Sequence, residues 1–385
     1  MMAETEELNL LRDSVRRFVD RNMPREAARK WDRENIFPRD VYDALAQMGV
    51  MGLTVPTEHG GQGVDIPATM VVIEELAKRS SAVACPYIMT ACYAGMNLAE
   101  SGSELQKREL LPKVAAGKLI FAYGLSEPNV GGDLAMVETT ARREGNRIIV
   151  SGTKRWCTGA QIADYVFCLV RTGQKDDRYK NLSILLVPPK SKGVTIRPLD
   201  HLGIRGVETN DAIFEDVEVG EDAILGGPQM WNQGWRQLAG RALEVEKLEL
   251  SAVALGLAEA ACDDAIDYAS TRIQFGKPIG AHQAIRHAIA EAKTRTLAMR
   301  LMLYNAAQLV QDRKPSALES SMSKLFCCEG AAEVTMACQR IMGAYGLSDL
   351  MDMERYVRDA ISLPIVGGSS NMQKNNIANR LKIAE

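Results

Sequence analysis

The chain has 385 residues, 46 % hydrophobic and 25 % charged, with a net charge of −3. That is the balance of a soluble globular protein long enough for one to three domains around a large core. It gives no reason to expect nucleic acid or an anionic membrane as partner, and no run reaches the ~18 apolar residues of a transmembrane helix.

The opening residues, Met1-Met-Ala-Glu-Thr-Glu-Glu-Leu8, are acidic and lack the character of a signal or transit peptide, which predicts a cytoplasmic protein. Helices are expected over 1–118. Leu8, Leu11, Val15, Phe18 and Val19 form one apolar stripe, and Asp40–Met48 form a short helix closed by Gly49. Val55–Gly63 is a Pro- and Gly-rich loop. Ser103-x-x-Gln106 has capping-box spacing, with Pro112 breaking that helix near its end. From about 119 to 228 the texture changes to short β-branched runs, at 139–143, 147–151, 165–171, 182–187, 194–198 and 212–219. The first two flank a Glu144-Gly145-Asn146 hairpin signal. This predicts a small β-barrel or sandwich. After Gly226-Gly227-Pro228 the chain turns helical again, over about 229–271, 282–312, 315–342 and 370–383, which predicts a four-helix bundle. Pro315 fits the first turn of its helix and Gly343 the position past its end. Ser370-x-x-Gln373 has the spacing of a capping box for the last helix. Eight cysteines without paired spacing and four scattered histidines predict reduced core thiols and no metal.

The stretch 244–286 draws these parts together. Residues 246–271 hold no Pro and one Gly, and Leu250, Val253, Leu257, Ala261 and Ala265 recur at helical spacing. At about 1.5 Å per residue, Glu246 and Arg272 stand roughly 39 Å apart. One site uses both only if a second copy supplies one of them.

The run Arg272-x-x-Phe275-Gly276-x-x-Ile279-x-x-x-Gln283-Ala-Ile resembles the acyl-CoA dehydrogenase family, which are FAD flavoproteins, and the resemblance extends over nearly the whole chain. It implies a mainly α fold with a central β domain: a helical domain over 1–118, a β-barrel over 119–228 and a helical bundle over 229–385. Tyr123-Gly-Leu125-Ser126-Glu127-Pro128-Asn129-Val130-Gly131-Gly132-Asp133 is similar to the family's loop against FAD and the pantetheine arm, with Gly132 where a Ser is usual. Gly152-Thr-Lys154-Arg-Trp156-Cys157-Thr158-Gly159 is similar to the segment that places a Trp beside the flavin and a Thr near its N5, with Gly159 where an Asn is usual. Arg272, Phe275 and Gln283 match contacts to the FAD of a neighbouring subunit. Around Gln339-Arg340-Ile-Met-Gly343-Ala344, Arg340 falls at a Gln position and Ala344 at a Gly position of another such contact. In Ile365–Gln373, Ser369 and Asn371 match FAD contacts, while Gly367 occupies the position at which most members carry the catalytic Glu.

The resemblance places the base elsewhere. Removing a proton α to a thioester needs a carboxylate whose pKa is raised in a dry pocket, and isovaleryl- and long-chain-type members carry it on the long helix. Counting back from Arg272 puts Glu246 there, with Glu249 one turn away as the second candidate. Lys247 stands where many members have Arg. The thioester oxygen is expected against a flavin ribityl hydroxyl and the backbone N–H of Gly367, and Gly132, Lys247 and Gly367 are the expected substrate contacts. Residues 80–97, with Tyr87, Met89, Thr90, Cys92 and Tyr93, are expected to line the acyl pocket. The implied activity is dehydrogenation of an acyl-CoA to the 2-enoyl-CoA, with an electron-transfer flavoprotein as electron partner and a homotetramer as assembly. Crotonobetainyl-CoA reductase-like members share the helix Glu and the Gly-Gly-Ser loop, so a reductase is the alternative, and a non-dehydrogenase flavoprotein of the same fold is a third reading.

Overall fold

The structure is a computed structural model and describes residues 5–383. The start of the acidic N-terminal segment, residues 1–4, lies outside the described residues, as do residues 384–385 and the side chain of Cys92.

The N-terminal part is helical: α1 (Glu6–Asn22), α2 (Arg25–Glu34), α3 (Arg39–Ala46), α4 (Ile66–Ala77), α5 (Ser81–Tyr87), α6 (Gly95–Ser101) and α7 (Glu104–Ala115). Every residue of α4 is buried, as expected of a helix that is apolar nearly all round. Asp65 caps it by accepting the Ala68 N–H. Between α5 and α6 the chain widens into a π turn, Ile88–Ala94. This follows directly on Pro86, which cannot donate an i→i−4 bond. The capping box of α7 forms as expected. Pro112 does not end that helix, which runs one more turn to Ala115. Gln106 also donates to the carbonyls of Asp222 and Ile224, tying α7 to the end of the sheet.

Seven strands follow: β1 (Phe121–Gly124), β2 (Thr140–Glu144), β3 (Arg147–Lys154), β4 (Tyr165–Arg171), β5 (Leu182–Val187), β6 (Val194–Leu199) and β7 (Thr209–Gly220). Their order is β1-β4-β2-β3-β7-β6, with β5 along the other edge of β4, and the sheet curls into a half-barrel. β1 and β2 share one edge of β4 in succession and run parallel to it, while the remaining pairs are antiparallel. Gly145 turns the β2–β3 hairpin at φ +62°. β7 is longer than its apolar run suggested, because polar Thr209–Asp211 also pair with β6.

The C-terminal part contains α8 (Gly234–Leu238), α9 (Arg241–Thr271), a two-stranded ribbon β8–β9 (Ile273–Gln274, Lys277–Pro278), α10 (Gln283–Gln311), α11 (Ala317–Met342), α12 (Met353–Ala360) and α13 (Ser370–Arg380). The helix expected over 229–271 is interrupted at Ala239-Gly240, where Gly240 takes the extended cap of α9. Pro315 lies just outside α11, before the cap residue Ser316, and not in its first turn. α9, α10 and α11 pack on one another, α4 lies across α9 and α10, and α13 lies on α11. A Cβ at Gly256 of α9 would come 2.4 Å from the Glu74 carbonyl, so only glycine admits this approach of α4. Among the described residues no helix is long and apolar enough to cross a membrane.

Candidate active site

Near its N-terminal end α9 presents two carboxyls one turn apart. Glu246 is partly open and its carboxylate makes no hydrogen bond or ion pair among the described residues. Desolvation pushes its pKa up to about 7, against a weaker downward pull from the ammonium groups of Lys247 and Lys324. Glu249 is completely buried. Of the two, Glu246 is the carboxyl a ligand can reach.

The loop before α13 closes over this carboxyl. Gly367 sits at φ +59°, and a Cβ there would fall 3.5 Å from Glu246 Oε1 and 2.1 Å from Leu250 Cδ1. A side chain at 367 would therefore have to displace the end of Leu250 and would hold the backbone at a strained positive φ. Among the described residues the N–H groups of Gly367 and Gly368 have no acceptor, leaving a free donor beside the free carboxylate. The loop is pinned to α11 at both ends. Lys324 Nζ donates to the Leu363 carbonyl at 2.9 Å, and Ser370 Oγ donates to Glu329 at 2.5 Å. Lys324 is wholly buried, and desolvation lowers its pKa in spite of Glu246 and Glu329. The capping residue of α13 is Ser369, which accepts the Met372 N–H, so the expected box at Ser370 is shifted by one. Gln373 instead donates to the Gly368 carbonyl at 2.9 Å. Lys247 is buried between α9 and α11, donating to Glu244 at 2.9 Å and Ser321 at 3.2 Å. It faces Glu246 by its charge.

The glycine-rich loop after β1 meets this corner. A Cβ at Gly132 would touch Met372 Sδ at 3.4 Å, so this loop approaches the first turn of α13. The turn is set by a buried pair, Lys154–Glu127, at 2.8 Å. Lys154 also donates to the Leu125 carbonyl, while Glu127 accepts the N–H groups of Glu138 and Thr139. Burial opposes the charge of Glu127, but Lys154 and these donors outweigh it and hold the carboxyl below its ordinary value. Ser126 donates its hydroxyl to the Arg155 carbonyl. Trp156 stands 57 % exposed at φ +68°, and Thr158 shares a hydroxyl hydrogen bond with Thr209 at 3.0 Å. The Cβ position of Gly159 reaches Met89 of the π turn at 3.2 Å. Open indole, unbonded N–H groups at Gly131 and Gly132, and a threonine hydroxyl together suit a planar aromatic cofactor with polar edges and a phosphate-bearing tail.

Arg272, Phe275 and Gln283 gather at the other end of α9, roughly 39 Å along the helix from Glu246. Phe275 is 93 % exposed and edge-on to His282. Arg272 lies over the Tyr345 ring, which brings in the segment of Gly343 and Ala344. Gln339 donates to the Gly346 carbonyl at 3.0 Å, closing its own turn, and Arg340 is the exposed residue. One protomer thus holds two separate clusters of predicted cofactor residues. A groove of about 640 Å³ between α10 and α11, lined by Glu291, Arg295, Phe326 and Glu333, contains none of them.

Reasoning from sequence missed Lys324, Leu250 and the Lys154–Glu127 pair. A signal for Lys324 existed: it lies on the stripe Ser320, Lys324, Cys327, Ala331 and Val334, a lysine on the buried face of its helix. Leu250 was legible only as part of the apolar stripe of α9, and its contact with a loop 117 residues away carried no signal.

Comparison with known proteins agrees along the full length. Three family models match in order: acyl-CoA dehydrogenase N-terminal domain over 5–118, middle domain over 122–217 and C-terminal domain over 232–382. A 3-(aryl)acrylate reductase of Clostridium sporogenes is 34 % identical, covering 98 % of this chain and 99 % of its own. The caffeyl-CoA reductase-Etf complex subunit CarC of Acetobacterium woodii is 32 % identical, covering 98 % of each. The butyryl-CoA dehydrogenase structure from Megasphaera elsdenii superposes with a TM-score of 0.94 at 26 % identity, covering 99 % of each chain.

Proposed function

Because the chain belongs to the acyl-CoA dehydrogenase family, and so is an oxidoreductase, we propose that it dehydrogenates an acyl-CoA thioester to the 2-enoyl-CoA with Glu246 as the base. The observation that carries this reading is an available carboxylate, its pKa raised by burial to about 7, close to Gly367, whose N–H has no acceptor among the described residues. The N–H donates to the thioester oxygen as negative charge develops on that oxygen, and Glu246 takes the α-proton. Its raised pKa brings it close to the operating pH, where a base transfers protons best. Lys324 and Glu329 hold the loop so that donor and base keep their separation. Tyr123, Leu125, Ser126, Gly131, Gly132, Trp156, Thr158, Ser369 and Asn371 would hold FAD, which when bound supplies the acceptor for the β-hydrogen. Arg272, Phe275, Gln283, Arg340, Gly343 and Ala344 would serve the cofactor of a second copy. That arrangement requires at least a dimer, and we place the protein in a homotetramer. The three-domain division at 118 and 228 belongs to the same reading, as does an electron-transfer flavoprotein as electron partner.

A second reading reverses the direction. Two relatives are named as reductases, and a carboxyl near pKa 7 is populated in both forms at neutrality, so Glu246 can return a proton to the α-carbon as readily as remove it.

The test is anaerobic absorbance of the purified flavoprotein against a panel of saturated acyl-CoAs, and of the reduced protein against the matching 2-enoyl-CoAs. Bleaching by at least one saturated member supports dehydrogenation, and reoxidation by an enoyl member alone supports the reductase. A protein that binds no flavin refutes both.

A further inference from the structure

Tyr93, on the π turn, is 3 % exposed, and Tyr123, on β1, stacks on it with centroids 4.4 Å apart and planes 13° from parallel. Phe167 of β4 closes the cluster, 4.9 Å from the Tyr123 ring. Both phenol hydroxyls are cut off from water; that of Tyr93 makes no hydrogen bond among the described residues, and that of Tyr123 has no well-formed one, with the Asn97 side chain in its reach. Asn97, one turn beyond Tyr93, stands beside Tyr123 but donates its amide to the Tyr93 carbonyl at 2.9 Å. Leaving a buried hydroxyl without a partner costs about 1–3 kcal/mol, and a protein rarely leaves two side by side.

The surroundings indicate which partner fits. α9 packs directly on the π turn, and the charged groups facing both phenols are the carboxyls of Glu246 and Glu249. Burial first, then those carboxyls, keeps both phenols protonated. The inner wall beyond the base is therefore made of hydrogen-bond acceptors and hydroxyls. Tyr93 belongs to the segment expected to line the acyl pocket, and that segment packs on α9, which carries both carboxyls.

We infer that the inner end of the acyl site, framed by Tyr93, Tyr123 and Glu249, receives an acyl group that carries a hydrogen-bond donor, and rejects one that ends in a carboxylate. This rests on the acyl-CoA reading above. A hydroxyl on the acyl group donates to the acceptors of this wall and accepts from a phenol. A terminal carboxylate would be desolvated beside two carboxyls and is excluded.

The experiment compares acyl-CoAs matched in shape on the FAD-loaded protein: pentanoyl-, 4-hydroxybutanoyl- and succinyl-CoA, and 3-phenylpropanoyl- against 3-(4-hydroxyphenyl)propanoyl-CoA. The readout is flavin reduction as a function of acyl-CoA concentration, with reoxidation by the corresponding enoyl-CoAs for the other direction. In at least one pair the hydroxylated member should be favoured about tenfold in kcat/KM, the worth of one buried hydrogen bond, and succinyl-CoA should be inactive. Tyr93→Phe should bring the ratio within the pair close to one, and Tyr123→Phe measures the same ratio independently. Equal or better use of the apolar member in both pairs would overturn the inference while leaving the dehydrogenase reading intact. So would an unchanged ratio in both variants. Absence of any flavin response to every acyl- and enoyl-CoA would overturn both.

Discussion

Replacing Glu246 by glutamine keeps the shape of the side chain and removes its ability to take a proton, so the catalytic reading and the electrostatic one can be tested together. Loss of a positioned base slows proton transfer roughly 10²–10⁴-fold, and reduction of the flavin by a saturated acyl-CoA should slow by that factor. The same change should stabilise the protein. Glu246 is raised from 4.5 to about 7, which corresponds to about 3 kcal/mol of strain once the group is ionised. Partial opening of the site lowers that to about 2 kcal/mol. The sign follows from linkage: the folded state binds this proton more tightly than the unfolded chain. The wild-type protein therefore has this stability below about pH 4.5 and loses it as pH rises to 7. Glutamine does not titrate, so the gain in Glu246→Gln should be small at pH 4 and largest at pH 8.5. Thermal midpoints of the two proteins at both pH values, with anaerobic stopped-flow reduction, measure both effects. Reduction within threefold of wild type, or a gain independent of pH, would refute the reasoning. If Glu249→Gln instead abolished reduction, the base would be Glu249.

Reduction by a saturated acyl-CoA should rise with pH around a midpoint near 7, and reoxidation by an enoyl-CoA should fall around the same midpoint, both readable by stopped-flow absorbance from pH 5.5 to 9. Lys324→Met removes a cation that favours the ionised base, so the midpoint should move up by about one unit. A purely structural role for Lys324 would lower the rate without moving the midpoint. Lys154→Met strands the buried Glu127 charge and should cost about 3–5 kcal/mol, seen as a lower thermal midpoint and loss of flavin. Gly367→Ala puts a Cβ against Leu250 at a positive φ, and should slow reduction about tenfold or more, with partial recovery when Leu250 is also trimmed to Ala. Recovery failing in that double variant would mean that backbone strain at 367, and not the Leu250 contact, is the obstacle.

The order of helical, β and helical segments was legible because it is written in local patterns. The 3- and 4-residue spacing of Leu250, Val253 and Leu257 fixes a face of α9, and Glu144-Gly145-Asn146 turns a hairpin without help from distant residues. The glycine at 367 and the glutamate at 246 were also legible, since they need only counting along the chain. Tertiary structure alone decided the rest. Counting along the helix gives Glu246 but says nothing of burial, and only the fold leaves Glu246 partly open while Glu249, one turn away, lies fully buried. The assignment of Arg340 as the exposed residue depended on Gln339 reaching the Gly346 carbonyl. The capping residue of α13 became Ser369 because Ser370 is held by Glu329 of another helix. The raised pKa of Glu246, the lowered one of Lys324 and the stacked tyrosines all arise from burial, and burial is a property of how distant segments pack and not of any one of them.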